Sequence, residues 1–398
     1  MKPFLSVLLL LSLSTAGFSQ ADIQKKIQTA LIMAKPGDTI QIDYGKINLT
    51  KTLWLDEGKD IVIIGNGMEK TILSFAEQVE GAEGLKITGG SNITVIDLSV
   101  FDSKGDGIKA QNTDGIRFIN VKTAWSGKPH KNNGSYGLYP VNCTKVYIDH
   151  CVAIGASDAG IYVGQSTDIV VKNSIAYNNV AGIEIENSLN AEVFANEAYN
   201  NTGGLLVFDL PDLIQKKGGN IKLHNNHIHD NNLPNFAPKG NIVAKVPDGT
   251  GVMILATNNV EIFNNRIINN NTAGTAIISY FMTEEEIKDQ DYYPYPTSIY
   301  IHDNYYAREN VKATHRGRMG KMFHLKLKFG KDVPHIIYDG ILDKKLLDSD
   351  GNMAKENRIC IRDNENQSFA NIDAENNFKN IDFSINGYDC QRQKNSLK

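Results

Sequence analysis

A glycine followed by an apolar residue recurs along the middle of the chain: Gly84-Leu85, Gly107-Ile108, Gly137-Leu138, Gly160-Ile161, Gly182-Ile183, Gly204-Leu205 and Gly251-Val252. The intervals are 23, 30, 23, 22, 22 and 47 residues, so a unit of 22 to 23 residues carries two longer insertions. About eight residues into a unit a second short apolar strand follows, as in Val146-Tyr147-Ile148, Ile169-Val170-Val171 and Val260-Glu261-Ile262. An asparagine-rich turn comes next (Asn173-Ser174, Asn225-Asn226, Asn264-Asn265), and then a third strand such as Ile175-Ala176-Tyr177. A fixed period of this size predicts a solenoid. Three short strands per unit, with β-branched residues at alternate positions and Asn where the backbone turns left-handed, predict an all-β fold of the right-handed parallel β-helix type. A leucine-rich repeat has a similar period but calls for Leu at most inward positions, where this chain mixes Ile, Val, Leu and Ala. Ten or so coils at the sheet spacing make a rod roughly 50 Å long.

The ends break the rhythm. Residues 21–45 read as an N-terminal cap, in which Ala21 to Ala34 form an amphipathic helix with Ile23, Ile27, Leu31 and Ile32 at helical spacing. Pro36-Gly37-Asp38 ends that helix and Thr39-Ile40-Gln41-Ile42 begins a strand. Residues 46–280 form the helix proper, with insertions at 126–136 and 209–250. Residues 281–398 read as a C-terminal cap subdomain. Of the four cysteines, Cys360 and Cys390 lie 30 residues apart in this irregular part and are the preferred disulfide pair, while Cys151 sits in the repeats as a small buried residue. The spacing of Cys and His fits no zinc ribbon.

Before the cap, Met1-Lys2-Pro3, the apolar run from Phe4 to Leu13 and the small residues to Ser19 read as a Sec-type signal peptide cleaved near Gln20. The run is too short to span a bilayer, and a periplasmic or extracellular location is expected. Lys+Arg 41 against Asp+Glu 45 gives a net charge of −4. That balance argues against a nucleic-acid partner, which needs a basic excess.

Alternation puts two ladders on the outward side of the first sheet. One runs Lys109, Tyr139, Tyr162, Glu184, Leu206, Met253, and the other Gln111, Val141, Gly164, Glu186, Phe208, Leu255. Leu206, Phe208, Met253 and Leu255 are expected to lie under the 209–250 insertion. Polar and aromatic residues walled by the insertions suit a sugar chain, because flat rings stack and polar tips bond hydroxyls. For proton abstraction beside a uronate carboxylate, Tyr136, Tyr139, His130 and Lys128 supply base, acid and cation. For glycoside hydrolysis, Glu184 and Glu186 supply the carboxyl pair, with Asp209 on the next coil. Tyr162, Gln165, Asn187, Asp209, Asp158 and Lys131 are the candidate substrate-binding residues. His227 and His229 face the same way beside Asp230, as a metal pair or as an outward ladder with Tyr177 and Tyr199.

With these runs in view, residues from about 22 to 280 resemble the exported parallel β-helix repeat superfamily, which holds pectate lyases, polygalacturonases, alginate lyases and mannuronan C5-epimerases. The stretches Ser135-Tyr-Gly-Leu-Tyr-Pro-Val141, Ser157-Asp-Ala-Gly-Ile-Tyr-Val-Gly-Gln-Ser166, Ala181-Gly-Ile-Glu-Ile-Glu-Asn187 and Gly204-Leu-Leu-Val-Phe-Asp-Leu-Pro211 look like a narrower family of exported bacterial β-helix proteins. The epimerase motif Tyr-Gly-x-Asp-Pro-His-Asp/Glu aligns with Tyr136 to Asn142. Tyr136 and Pro140 match; Tyr139, Val141 and Asn142 replace its Asp, His and acid. Asn112-Thr113-Asp114-Gly115 echoes a polygalacturonase motif whose companions are missing, and reads as a turn. The resemblance implies a polysaccharide or oligosaccharide partner, uronate-rich in the sense of its lyase and epimerase members, without a required cofactor and with room for Ca2+. A non-catalytic envelope or accessory protein, docking a partner on the rod, is the other reading.

Overall fold

The computed structural model describes residues 19–309, 311–314, 316, 320–322, 327–351 and 353–390. The proposed signal peptide therefore lies outside the described residues, apart from its last two positions.

Each repeat unit is one turn of a parallel β-helix. The first strand of every coil joins an 11-stranded sheet that includes Ile108–Gln111, Tyr136–Val141, Ala159–Gly164, Ala181–Glu186, Gly203–Phe208 and Thr250–Leu255. The second and third strands build the other two faces. They run together in Ser91–Phe101 and Asp114–Ala124, which bend at the left-handed residues Asp97 and Asn120. Register stacks Ile108, Leu138, Ile161, Ile183, Leu205 and Val252 directly above one another inside the rod. All are buried. At about 4.8 Å per rung, eleven strands make this sheet about 48 Å long.

The repeated glycine has a packing cause. A Cβ on Gly137 sits 2.3 Å from the Gly160 carbonyl oxygen, and the same clash recurs between Gly182 and Gly204 at 2.6 Å. Only a residue without a side chain lets successive coils approach at this corner.

The asparagines do two jobs. Asn173, Asn225 and Asn264 hold the left-handed turn, as expected. Their neighbours point inward. Asn196, Asn226, Asn265, Asn304 and Asn364 form a buried ladder in which each side-chain amide donates to the next side-chain oxygen at 2.9–3.1 Å. Asn179, Asn201, Asn231 and Asn270 form a second ladder. These ladders satisfy backbone groups that the turns leave without sheet partners.

The helix Gln20–Met33 caps the first coil with Ile23, Ile27 and Leu31 buried. Ile32 is 70% exposed, so it lies outside the packing stripe expected for it. The coils also continue past residue 280, through Thr297–His302, Ile336–Tyr338, Cys360–Arg362 and Phe369–Asn371, each in parallel register with the coil before. Long connections hide the period there, so a C-terminal cap beginning at 281 is too early. A disulfide joins Cys360 to Cys390, and Cys143 and Cys151 are buried free thiols.

Candidate functional site

The outward side of the 11-stranded sheet is open over its first coils and roofed over its later ones. Trp54, Lys86, Lys109 and Tyr139 share one outward column by register. Trp54 is 47% exposed. Two rungs past Tyr139 the column reaches Glu184, then Leu206 and Met253. These last three are buried, under the 209–250 insertion and the C-terminal connections.

At the border stands a cluster of carboxyl and phenol groups. The rings of Tyr136, Tyr139 and Tyr162 pack with centroids 4.4, 4.5 and 5.1 Å apart. The Tyr162 hydroxyl donates to Glu186 Oε1 at 2.5 Å. Gly164 makes this bond possible: a Cβ there lies 2.3 Å from the Tyr162 hydroxyl oxygen. Tyr136 hydrogen-bonds Asp158, whose Oδ2 also accepts from Asn241 of the insertion at 2.8 Å. Glu184 stands between Asp158 and Glu186, and its Oε2 has no hydrogen-bond partner among the described residues.

Burial drives the electrostatics. It raises Asp158 and Glu186 to about 7, opposed in part by the hydrogen bonds from Asn241 and Tyr136 to the one and from Tyr162 to the other. Glu184 is pushed well above the carboxylate range by burial and by the charges of Asp158 and Glu186. Burial also holds Tyr136 and Tyr162 well above the usual phenol range. At the mouth, burial raises Asp106 to about 6 against the opposing pull of Lys109, whose ammonium lies 4.8 Å from the Tyr139 ring centroid. A neutral Glu184, phenols that keep their protons and two carboxyls that switch near neutrality form an acid–base set.

The structure thus assembles Tyr136, Tyr139, Tyr162, Asp158, Glu184 and Glu186. It gives the other expected residues different tasks. Lys128, His130 and Lys131 are exposed on a loop that Asn133 ties to the Gly155 carbonyl. Gln165 and Asn187 are left-handed turn residues. Gln165 accepts from the Ile214 backbone, and Asn187 bonds Leu210 and the Gln215 carbonyl, so both tether the 209–219 insertion rather than offering free amides to a sugar. Asp209, raised to about 7 by burial, accepts from Gly218 N–H at 2.7 Å and closes the same insertion. Asn112 holds a left-handed turn, as read from the sequence, and Asp114 and Gly115 begin the strand Asp114–Ala124. Asp106 was missed, although it occupies the rung of Tyr136 one coil earlier, just ahead of its glycine. Asn241 arrives from a distant insertion and left no signal.

Residues 130–286 match the family described as right handed beta helix region. The protein is a right-handed parallel β-helix. Among solved structures it is similar to the Azotobacter vinelandii mannuronan C-5 epimerase AlgE4 A-module, at 17% identity and TM-score 0.50 over 87% of this chain and 90% of that one. The AlgE6 A-module from the same organism aligns at 16% identity and TM-score 0.47, covering 74% and 83%. Pectate lyase Pel9A aligns at 14% identity and TM-score 0.43, covering 73% and 66%. No curated protein matches the chain. At these identities the likeness is one of fold, and the β-helix fold hosts many reactions.

Proposed function

We propose that this β-helix acts on a uronate-rich polysaccharide at the tyrosine–carboxyl cluster, by proton transfer of the lyase or epimerase type. The observation that carries the reading is the enclosed set of Asp158, Glu184 and Glu186. Three neighbouring acids, two of them at a pKa of about 7, have little structural use in a rod. A protonated Glu184 donates its free hydrogen bond to the sugar carboxyl and so takes the place of a cation. Ionised Glu186 removes the proton beside that carboxyl. In elimination, the bond to the leaving glycosidic oxygen breaks, its electron pair goes to oxygen, and a protonated tyrosine supplies the proton. In epimerisation the proton returns from the opposite face. Asn241 of the insertion already bonds Asp158, so the roof closes the far side of the cluster and the glycan approaches from the open coils, along Trp54, Lys86, Lys109 and Tyr139. No cofactor is required in this scheme; activity that survives chelation argues against a role for Ca2+.

The Cys360–Cys390 disulfide suits an oxidising compartment, and no described helix is long and apolar enough to cross a membrane. The disulfide supports a periplasmic or extracellular site of action.

The test is incubation with polyuronates, following ultraviolet-absorbing unsaturated ends and exchange of the C5 proton with solvent. Product from the wild type and none from Glu186→Gln is expected. New reducing ends without unsaturation assign a hydrolase instead. Glycan or protein binding without any product, equal in wild type and variant, assigns the docking role and overturns the catalytic one.

A further inference from the structure

On the third face of the rod, away from the cluster above, two imidazoles and a carboxylate converge. His227 and His229 leave the same side of the strand His227–His229. Glu197 is the register partner of His227 on the preceding coil. We propose that Glu197, His227 and His229 bind a divalent transition-metal ion of the Zn2+ type.

The geometry is that of a ligand set. Bonds of about 2.0 to 2.2 Å in a tetrahedron place neighbouring ligand atoms about 3.3 to 3.6 Å apart. Glu197 Oε1 lies 3.1 Å from His229 Nε2 and 3.6 Å from His227 Nδ1. The donor atoms of all three residues fall within 4.8 Å of one another. His229 also carries the outer support that metal-bound histidines have: its Nδ1 lies 2.8 Å from Asp230 Oδ2. A hydrogen bond to Asp230 through Nδ1 orients the ring with Nε2 toward Glu197 Oε1, and His227 Nδ1 brings a third donor atom to the same point. Arg266, paired with His227 on the next coil, directs its guanidinium over the Tyr305 ring 4.8 Å away. Glu197 and His227 are about 40% exposed, which leaves an outward position for water.

The rod holds its own control. His302 bonds Glu261 at 3.1 Å and Asp303 at 2.7 Å, as His229 bonds Glu197 and Asp230. Tyr300 stacks on His302 with centroids 4.0 Å apart, the separation of His227 from His229. Carboxylate–histidine pairing is thus a structural habit of this face, shared by His224 and Glu192. Among the described residues, only at His227 does a second imidazole complete three donors.

The test uses untagged, chelator-treated protein titrated with Zn2+ and with Co2+. One equivalent should bind, with the intense visible bands of four-coordinate Co2+ and a raised thermal midpoint. His227→Gln should lower affinity at least 100-fold while its midpoint without metal stays that of the wild type. Asp230→Asn should weaken binding about 10- to 100-fold, and His224→Gln should leave it unchanged. Equal Zn2+ uptake by wild type and His227→Gln, or no uptake by the wild type at micromolar Zn2+, overturns the site. Neither outcome bears on polysaccharide turnover, which is assigned to another sheet.

Discussion

Trp54 and Leu206 occupy the same outward column of the same sheet, yet Trp54 is 47% exposed and Leu206 1%. The open coils carry Trp54, Lys86 and Lys109; the roofed coils carry Leu206, Met253, Ala276 and Ile337. Beneath the roof Phe208, Met253, Leu255 and Ile278 meet Ile242, Val246 and Phe378 around a cavity of about 740 Å3. A strand's alternation fixes direction, not solvent access. On this rod the insertions decide whether an outward residue meets water or a second apolar core. The acids sit where one regime gives way to the other. They lie beside the open coils, yet far enough under the roof for burial to raise their pKa values.

The largest test compares the two regions directly. Phe208→Ala should cost about 3–5 kcal/mol, as for a core aromatic. Trp54→Ala should cost about 1 kcal/mol or less, as a surface change. Denaturant midpoints measure both, and equal losses break the distinction between roofed and open coils.

Next comes the border. Glu184, Glu186 and Asp158 have pKa values raised above those of an unfolded chain. The folded protein therefore keeps protons that the unfolded chain releases above about pH 4. For Glu186 and Asp158 the contribution to stability is fully present below about pH 4 and is lost as pH rises through about 7; for Glu184 the loss extends to higher pH. Glu184→Gln/Glu186→Gln should be more stable than wild type at pH 8, by about 3 kcal/mol or more, with no gain at pH 4, while turnover and proton exchange disappear. Thermal midpoints across that range check it. A variant less stable at pH 8 assigns these acids to the scaffold.

The roof's tether gives a smaller effect. Asn187→Ala leaves the Leu210 N–H and two carbonyls without partners, a loss of about 1–3 kcal/mol. Faster amide exchange at Leu210 is the readout. Asn142, at the corresponding strand end on an open coil, should cost less when replaced by Ala. The smallest change is Lys109→Ala, which removes a cation–π contact worth about 0.5–1 kcal/mol. It should weaken polyuronate binding and reduce its sensitivity to salt.

Sequence pattern alone determined the coil. Glycine recurrence, alternation and turn asparagines are local features, and each recurs because every coil solves the same packing problem against its neighbour. They placed Tyr139, Tyr162, Glu184 and Glu186 on one outward face, and the position of Cys360 and Cys390 together in the irregular C-terminal part chose that pair. Read one column earlier, they also carried Asp106. Tertiary structure alone decided how that face is used. Asn241 reaches Asp158 across 83 residues, Gln165 and Asn187 are taken up by a loop, and Lys128, His130 and Lys131 stay exposed on theirs. Long insertions have no period, so their landing place is set by the surface they bury, and the chemistry of the residues beneath follows from that burial.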